Sequence, residues 1–242
     1  MPYNHFAQHY DILMQNVDYD SRAEYVLNLF EKYDRKPTLL LDLACGTGEF
    51  SKRFAAQNID IIGVDPSYEM LNFAREKLPK ALFLAQSAES LDLFGTVDGA
   101  VCLMDSLNHI INYDDLKKSI SNVALFLEKD RLFIFDVNTV YKHKTLLSDN
   151  TFVIEDESVF CTWQNDTDES GLTEITLDFF SVTDDGKYER FCDEFSERAY
   201  SDTEILEALK NANLELVAVF DDLSENAPKS DAERVFYVTR KK

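Results

Sequence analysis

The sequence is poor in positive charge and lacks the marks of a membrane, metal-bound or disulfide-bonded protein. No apolar run approaches the roughly 20 residues that span a bilayer, so no membrane segment is expected. The N-terminal MPYNHFAQHYD has neither the basic start nor the apolar core of a signal peptide, which points to a cytoplasmic address. The four cysteines, Cys45, Cys102, Cys161 and Cys192, lie far apart, with no CxxC pair and no compact Cys/His cluster. Tetrahedral zinc is therefore not suggested, no metal is expected, and the thiols read as reduced. Lys and Arg number 24 against 45 Asp and Glu, a formal charge of −21. Such a surface repels phosphate backbones at long range, so a nucleic-acid partner would need a local basic patch, and the sequence shows none. Internal repeats and low-complexity linkers are also absent.

What is present is an ordinary globular composition, 45% apolar over 242 residues. That length buries a sizeable core, as one large domain or one domain with a smaller insertion. The first half alternates short apolar bursts with helical patterns: strands at residues 39–43, 59–64, 81–85, 97–103 and 132–137, with helices over 21–33, 49–56, 67–77 and 114–126. Asp65-Pro66-Ser67 stops the second strand, and Asp65 or Ser67 can cap the next helix. Regular β/α alternation predicts an α/β fold with a mostly parallel sheet flanked by helices.

The rhythm changes after Asn138. Residues 151–163, 172–182 and 188–200 read as extended segments, and Asp184-Asp185-Gly186 supplies a hairpin turn between the last two. An antiparallel β insertion is expected over residues 145–200, between main-domain segments 1–144 and 201–242. A helix over 202–211 and strands at 215–220 and 234–239 close the chain. From Asp149 to Glu197 there are fifteen acidic residues against only Lys187 and Arg190. This stretch is either a solvated acidic surface or a mouth that attracts amines and repels anions. The insertion itself is either a lid over a substrate or a homodimer face.

The first strand ends in Asp42-Leu43-Ala44-Cys45-Gly46-Thr47-Gly48. Small residues there let a ligand approach the backbone, and Gly46 and Gly48 can adopt angles costly for larger residues. Amides at the following helix start can donate to it. Asp65, at the end of the second strand, suits ribose hydroxyls, because ligands in open α/β sheets bind beyond the strand C-termini. A dinucleotide such as NAD would suit the same place. Neither possible register completes its G-x-G-x-x-G pattern, however, and Asp42 is awkward for a diphosphate but favourable for an amine-bearing ligand.

At this point the sequence resembles a known family. LLDLACGTG at 40–48 and GVDPSYEML at 63–71 resemble the first two motifs of class I S-adenosylmethionine-dependent methyltransferases. FAQHYDILM at 6–14, MDSLNHI at 104–110 and YSDTEILEALKNANLELV at 200–217 extend the match over most of the chain. The nearest type is the small-molecule N- or O-methyltransferase with an antiparallel insertion after the fifth strand. The resemblance implies a Rossmann-like seven-stranded sheet with its last strand antiparallel, and S-adenosyl-L-methionine as cofactor. It implies that Ala44, Gly46 and Gly48 border the methionine part, Asp65 the ribose, and Pro66 and Met70 the adenine, with Asp42 organising the loop and Tyr10 and Asp11 covering the ligand. Ala44 replaces the commoner glycine, which ordinary backbone angles would tolerate. Ser87 stands where many relatives have Asp, so Ser87 and Ala88 are pocket neighbours, and Leu103 is core or cofactor wall.

On the acceptor side, His109 is the candidate base, with Asp105 and Tyr10 as alternatives; a purely structural histidine is the competing reading. Asn108 borders the acceptor or, like Ser106, simply forms the turn. Phe160, Trp163, Phe179, Phe180 and Phe195 are wall candidates whose plainer role is core packing. Arg198 and Tyr200, returning from the insertion, are expected near the substrate; Arg198 binds a carboxylate or pairs with a surface acid. Methyl transfer to a small-molecule acceptor, with an amine nitrogen as the favoured target, is the preferred function. An RNA or protein methyltransferase and a non-catalytic cofactor-binding interaction protein are the alternatives, as a monomer or homodimer.

Overall fold

The computed structural model describes residues 6–183 and 185–242, apart from the side chains of Phe6 and Gln8. The first five residues and Asp184 of the expected hairpin turn lie outside them. The chain runs α1 (Phe6–Leu13), α2 (Tyr19–Tyr33), β1 (Leu39–Leu43), α3 (Glu49–Ala55), β2 (Asp60–Asp65), α4 (Tyr68–Lys77), β3 (Leu82–Ala85), β4 (Gly99–Cys102), α5 (Tyr113–Phe126) and β5 (Leu132–Asn138). A short α6 (Val140–Lys142) leads to β6 (Thr151–Glu155), β7 (Val159–Thr167), β8 (Leu172–Val182) and β9 (Tyr188–Arg198), then α7 (Asp202–Asn211), β10 (Leu214–Asp221) and β11 (Arg234–Lys241).

Seven strands form one sheet in the order β10-β11-β5-β4-β1-β2-β3, with β11 antiparallel to both neighbours. The expected α/β, Rossmann-like sheet with helices on both faces is therefore present. Its central strands are apolar throughout because both faces are covered. In β5, Phe133, Phe135 and Val137 join the core under α5 and α7, whereas Leu132 and Ile134 join the core under α2 and α3. The chain lays down β1, β2 and β3 outward, then returns to β4 on the other side of β1. That reversal opens a crevice at the strand C-termini, where open α/β sheets bind ligands.

The second sheet, β6-β7-β8-β9, is antiparallel throughout. Its core of Val159, Cys161, Ile175, Leu177 and Phe179 packs with Ala7 and Leu13 of α1 and with Met70 of α4, so α1 joins the two sheets. The segment 151–163, read as one extended stretch, is in fact a hairpin. Asp156 Oδ1 accepts from the Ser158 amide at 2.7 Å and from its hydroxyl at 2.6 Å, and this Asx turn folds β6 back on β7. Gly186, at φ +76, helps turn β8 into β9. Ser201 closes a capping box with Glu204 at the start of α7. No helix among the described residues is long and apolar enough to cross a membrane.

Candidate active site

The C-terminal ends of β1, β2, β3 and β4 surround a cavity of about 500 Å³. After β1 the backbone turns through left-handed angles at Ala44 (φ +57), Gly46 (φ +53) and Gly48 (φ +79). The expectation of ordinary angles at Ala44 is thus corrected: an L-residue there carries about 1–2 kcal/mol of local strain. The turn is held across to β2. The Cys45 amide donates to the Val64 carbonyl at 3.0 Å, and the Gly46 amide to Asp65 Oδ2 at 2.9 Å. The other Asp65 oxygen accepts from the Ser67 amide, while the Ser67 hydroxyl caps α4 through the Met70 amide. Burial raises the Asp65 carboxyl, and these two amides oppose that shift.

Asp42 lies outside the cavity lining. It is buried and accepts from the Ser51 hydroxyl of α3 at 2.5 Å, tying the helix to the strand beneath the turn. Burial pushes its carboxyl up to about 7 against that hydrogen bond. From the other side α1 latches onto the turn, with Asp11 accepting from the Thr47 hydroxyl at 2.7 Å and from Lys77 of α4 at 2.5 Å. Tyr10, Ala44, Gly46, Asp65, Pro66, Met70, Ser87, Ala88 and His109 all line the cavity. Leu103 lines a small annexe of about 30 Å³ that shares Tyr10, Ala44 and Gly46 with it, and Gly48 caps α3 outside both.

Sequence reasoning missed three lining residues that matter. Glu89, Asp115 and Ser196 face the cavity alongside Phe195. Glu89, two residues beyond Ser87 and hydrogen-bonded to it at 2.5 Å, supplies a carboxylate where Ser87 lacked one. The described lining residues include three carboxylates, Asp65, Glu89 and Asp115, and no Lys or Arg.

Four substrate candidates are turned to structural work, and a fifth lies elsewhere. Asn108 is fully buried; its amide donates to the Asn138 and Arg198 carbonyls, and its carbonyl accepts from the Asn138 amide at 3.0 Å. Arg198 pairs with Glu204 at 2.8 Å, which is the surface-pairing alternative. Buried Tyr200 donates to the Ile110 carbonyl. Trp163 donates to Asn165 at 2.8 Å within the second sheet, and Phe160 contacts Phe180 across its strand pair. None of the five lines the cavity.

Behind the Ser106–His109 turn that follows β4 lies a buried charge network. Met104 and Asp105 are both left-handed (φ +58 and +51), and their amides donate to the two oxygens of Asp136 on β5. Arg234 of β11 bridges Asp136 and Asp105, reaching the latter at 2.6 Å, and Asn138 donates to the second Asp105 oxygen at 2.6 Å. Burial raises the Asp105 carboxyl, but Arg234, Lys142 and His109 outweigh it and hold it below its ordinary value. Burial lifts the Tyr10 phenol well above its ordinary value. An ion-paired carboxylate and a raised phenol are poor proton acceptors near neutral pH. Of the three base candidates, only His109 is an imidazole on the cavity wall, the side chain most often used to move protons.

Asp105, His109 and Glu197 each offer an atom within 4.8 Å of the others. Both Asp105 oxygens are already engaged, and Arg234 and Lys142 stand beside it, so the set resembles an acid–base cluster more than a cage for a divalent cation.

Comparison with known proteins adds to this geometry. Residues 40–130 match the family described as "Methyltransferase domain". "Putative methyltransferase YqeM" of Bacillus subtilis (strain 168) is 32% identical over 245 residues, covering 100% of this chain and 98% of that protein. The crystal structure of an S-adenosylmethionine-dependent methyltransferase from Clostridium acetobutylicum superposes with a TM-score of 0.89 at 32% identity, over 99% of this chain and 98% of the other. The sugar N-methyltransferase KedS8 of a Streptoalloteichus species shares the fold, with a TM-score of 0.79 at 20% identity over 96% and 93% of the two chains.

Proposed function

Since this chain belongs to the class I S-adenosylmethionine-dependent methyltransferases, we propose that its acceptor is a small cationic amine, methylated on nitrogen. One observation carries this reading: three carboxylates and no Lys or Arg line a cavity of about 500 Å³, and Asp115 is the one left to the acceptor once the cofactor takes Asp65 and Glu89. That volume lies within the roughly 300–1,000 Å³ usual for small-molecule sites. A low-dielectric cleft bearing charge of one sign concentrates ligands of the other, so this one draws in cations and rejects anionic metabolites.

The residues present fit the cofactor. A Cβ added at Gly46 would meet nothing within 4 Å, so glycine there leaves the cradle open. Ala44 and Gly46 would hold the methionine part, Asp65 the ribose hydroxyls, and Pro66, Met70, Ser87 and Ala88 the adenine, with Glu89 as a further acceptor and Tyr10 as the cover. When bound, S-adenosylmethionine supplies an electrophilic methyl group on a sulfonium centre, whose carbon–sulfur electron pair leaves with the sulfur.

The chain's own contribution is orientation and proton handling. An ammonium has no lone pair, so the acceptor must lose a proton before its nitrogen can attack. His109 takes that proton on a ring nitrogen. Phe195, tilted against the His109 ring at 5.4 Å between centroids, walls the same end of the cavity. Holding both reactants in line then lowers the barrier by pre-ordering them.

The test is an assay of a metabolite extract with methyl-labelled cofactor, followed by mass identification of the labelled product. A labelled small amine supports the reading. Label confined to RNA, to protein, or to oxygen or carbon of a neutral or anionic metabolite overturns it.

A further inference from the structure

Glu197, on the last strand of the second sheet, has no part in the cofactor site and does not line the cavity, yet it is almost wholly buried. Its two oxygens face two imidazoles. Oε1 lies 3.5 Å from His109 Nε2, and Oε2 lies 3.8 Å from His143 Nε2. Both Glu197 Oε2 and His143 Nε2 are buried without a hydrogen-bond partner. His143 is fixed from its other side, its Nδ1 sitting 2.7 Å from the Thr173 hydroxyl. Buried polar atoms left unsatisfied cost about 1–3 kcal/mol each, and a native structure that keeps them in a cluster invites a functional explanation.

We infer that Glu197 is the positioning residue for His109: it orients the ring by accepting from Nε2, leaves Nδ1 as the proton acceptor, and stabilises the imidazolium formed when the acceptor amine is deprotonated. The inference rests on the amine reading above. The proton balance is simple. The N–H bond of the acceptor ammonium breaks, its electron pair stays on nitrogen for attack, and the proton rests on His109 Nδ1 until solvent removes it.

Charge supports this assignment. The groups that interact electrostatically with His109 are Asp65 on β2, Asp105 after β4, His143 after β5 and Glu197 on β9, and behind them Asp136, Lys142 and Arg234 act on Asp105. Burial pushes Glu197 up to about 7, and His109 opposes that shift. Burial pushes His143 down to about 4, so it stays neutral and does not compete for the charge. This is the arrangement of a base held by an orienting carboxylate, with that carboxylate supplied by a strand distant in sequence.

The test needs no acceptor. The full chain has four histidines, so imidazole ¹⁵N spectra of histidine-labelled protein, assigned with His109→Gln, report the His109 tautomer directly. In the wild type the Nε2–H form is expected to dominate. In Glu197→Gln the ratio is expected to fall about tenfold, the low end of what a hydrogen bond to a charged group is worth. An unchanged tautomer pattern overturns the inference. Should Glu197→Gln fail to fold, carboxyl ¹³C titration of Glu197 in His109→Gln decides instead: a midpoint above the wild-type value supports the coupling, and the same midpoint removes it. Titration with zinc or manganese chloride is expected to show no site that depends on Glu197, and one that does would overturn the acid–base assignment. Failure of the amine reading shows separately, as label on a non-amine product with the His109 tautomer still dependent on Glu197.

Discussion

Replacing Arg234 with Met tests the buried network most severely. Arg234 bridges Asp136, buried on β5, and Asp105 at 2.6 Å, and their two carboxylates converge on this one guanidinium. Methionine fills much of the same volume but leaves both acids without their counter-charge. Breaking a buried pair by removing one partner costs about 3–5 kcal/mol. For a chain of this size each kcal/mol moves the melting temperature by roughly 2–4 °C, so a fall of roughly 6–20 °C is expected. The pH dependence is the sharper signature. In the wild type Asp105 titrates below its unfolded value, so its contribution is present above that value and is lost as pH falls through the folded one. Without Arg234 both acids titrate above their unfolded values. Their contribution is then complete only below about pH 4 and is lost as pH rises. Urea unfolding of Arg234→Met from pH 4 to pH 8 is therefore expected to show its deficit against the wild type growing with pH. A loss under about 1 kcal/mol, or a deficit flat with pH, would show that water or a rearranged Lys142 reaches these carboxylates and that the bridge is not what holds the turn.

Other perturbations separate the remaining parts. Asp65→Ala removes the acceptor for the Gly46 and Ser67 amides together with the proposed ribose contact; calorimetry is expected to show cofactor affinity down about 10- to 100-fold, the worth of one or two charged hydrogen bonds. His109→Gln is expected to lower turnover of the identified acceptor by about 10²–10⁴, the usual contribution of a general base, with KM for the cofactor within twofold. Ala44→Gly relieves about 1–2 kcal/mol of left-handed strain against about 0.4–1 kcal/mol of added unfolded-state freedom, so the urea midpoint is expected to rise slightly; a clear fall would contradict the strain. Asp42 and Glu197 are both pushed up to about 7 by burial. Their stabilisation is present below their unfolded values and lost as pH rises through 7, so unfolding at pH 8 is expected to need less urea than at pH 5.5.

The cofactor half of the site was legible because it is local. Gly46, Asp65, Pro66 and Met70 follow two apolar strands directly, and their spacing alone puts them at one sheet edge. The second sheet was legible as alternating segments, except where Asp156 and Ser158 hid a tight turn between apolar flanks. Glu197 could not be found this way. It carries no motif, and its meaning comes from meeting His109 and His143, residues 88 and 54 positions earlier, through an antiparallel register fixed by Leu172 and Arg198. Ala44 misled for the opposite reason: its side chain suggested ordinary angles, while the amide bonds to β2 impose a left-handed one.

Of the nominated substrate residues, His109 lines the cavity and three others share a different placement. Asn108 was expected at the acceptor because it follows β4, and Arg198 and Tyr200 because they return from the insertion beside the main domain. Their polar atoms instead engage Asn138, Glu204 and backbone carbonyls. Each of the three also touches the 108–111 segment or the strand leaving the second sheet. Their bonds tie the segment around His109 to Asn138 and to the strand leaving the second sheet, whereas Asp115, Phe195 and Ser196 line the cavity itself. Substrate preference should therefore follow those three positions. Asp115→Asn is the cleanest case, since it removes one of three carboxylates and leaves the size of the side chain unchanged. It is expected to raise KM for a cationic acceptor while leaving cofactor affinity and the melting temperature near wild type. An unchanged KM would mean that the charge of Asp115 plays no part in attracting the acceptor, and would weaken the cavity-charge argument for an amine.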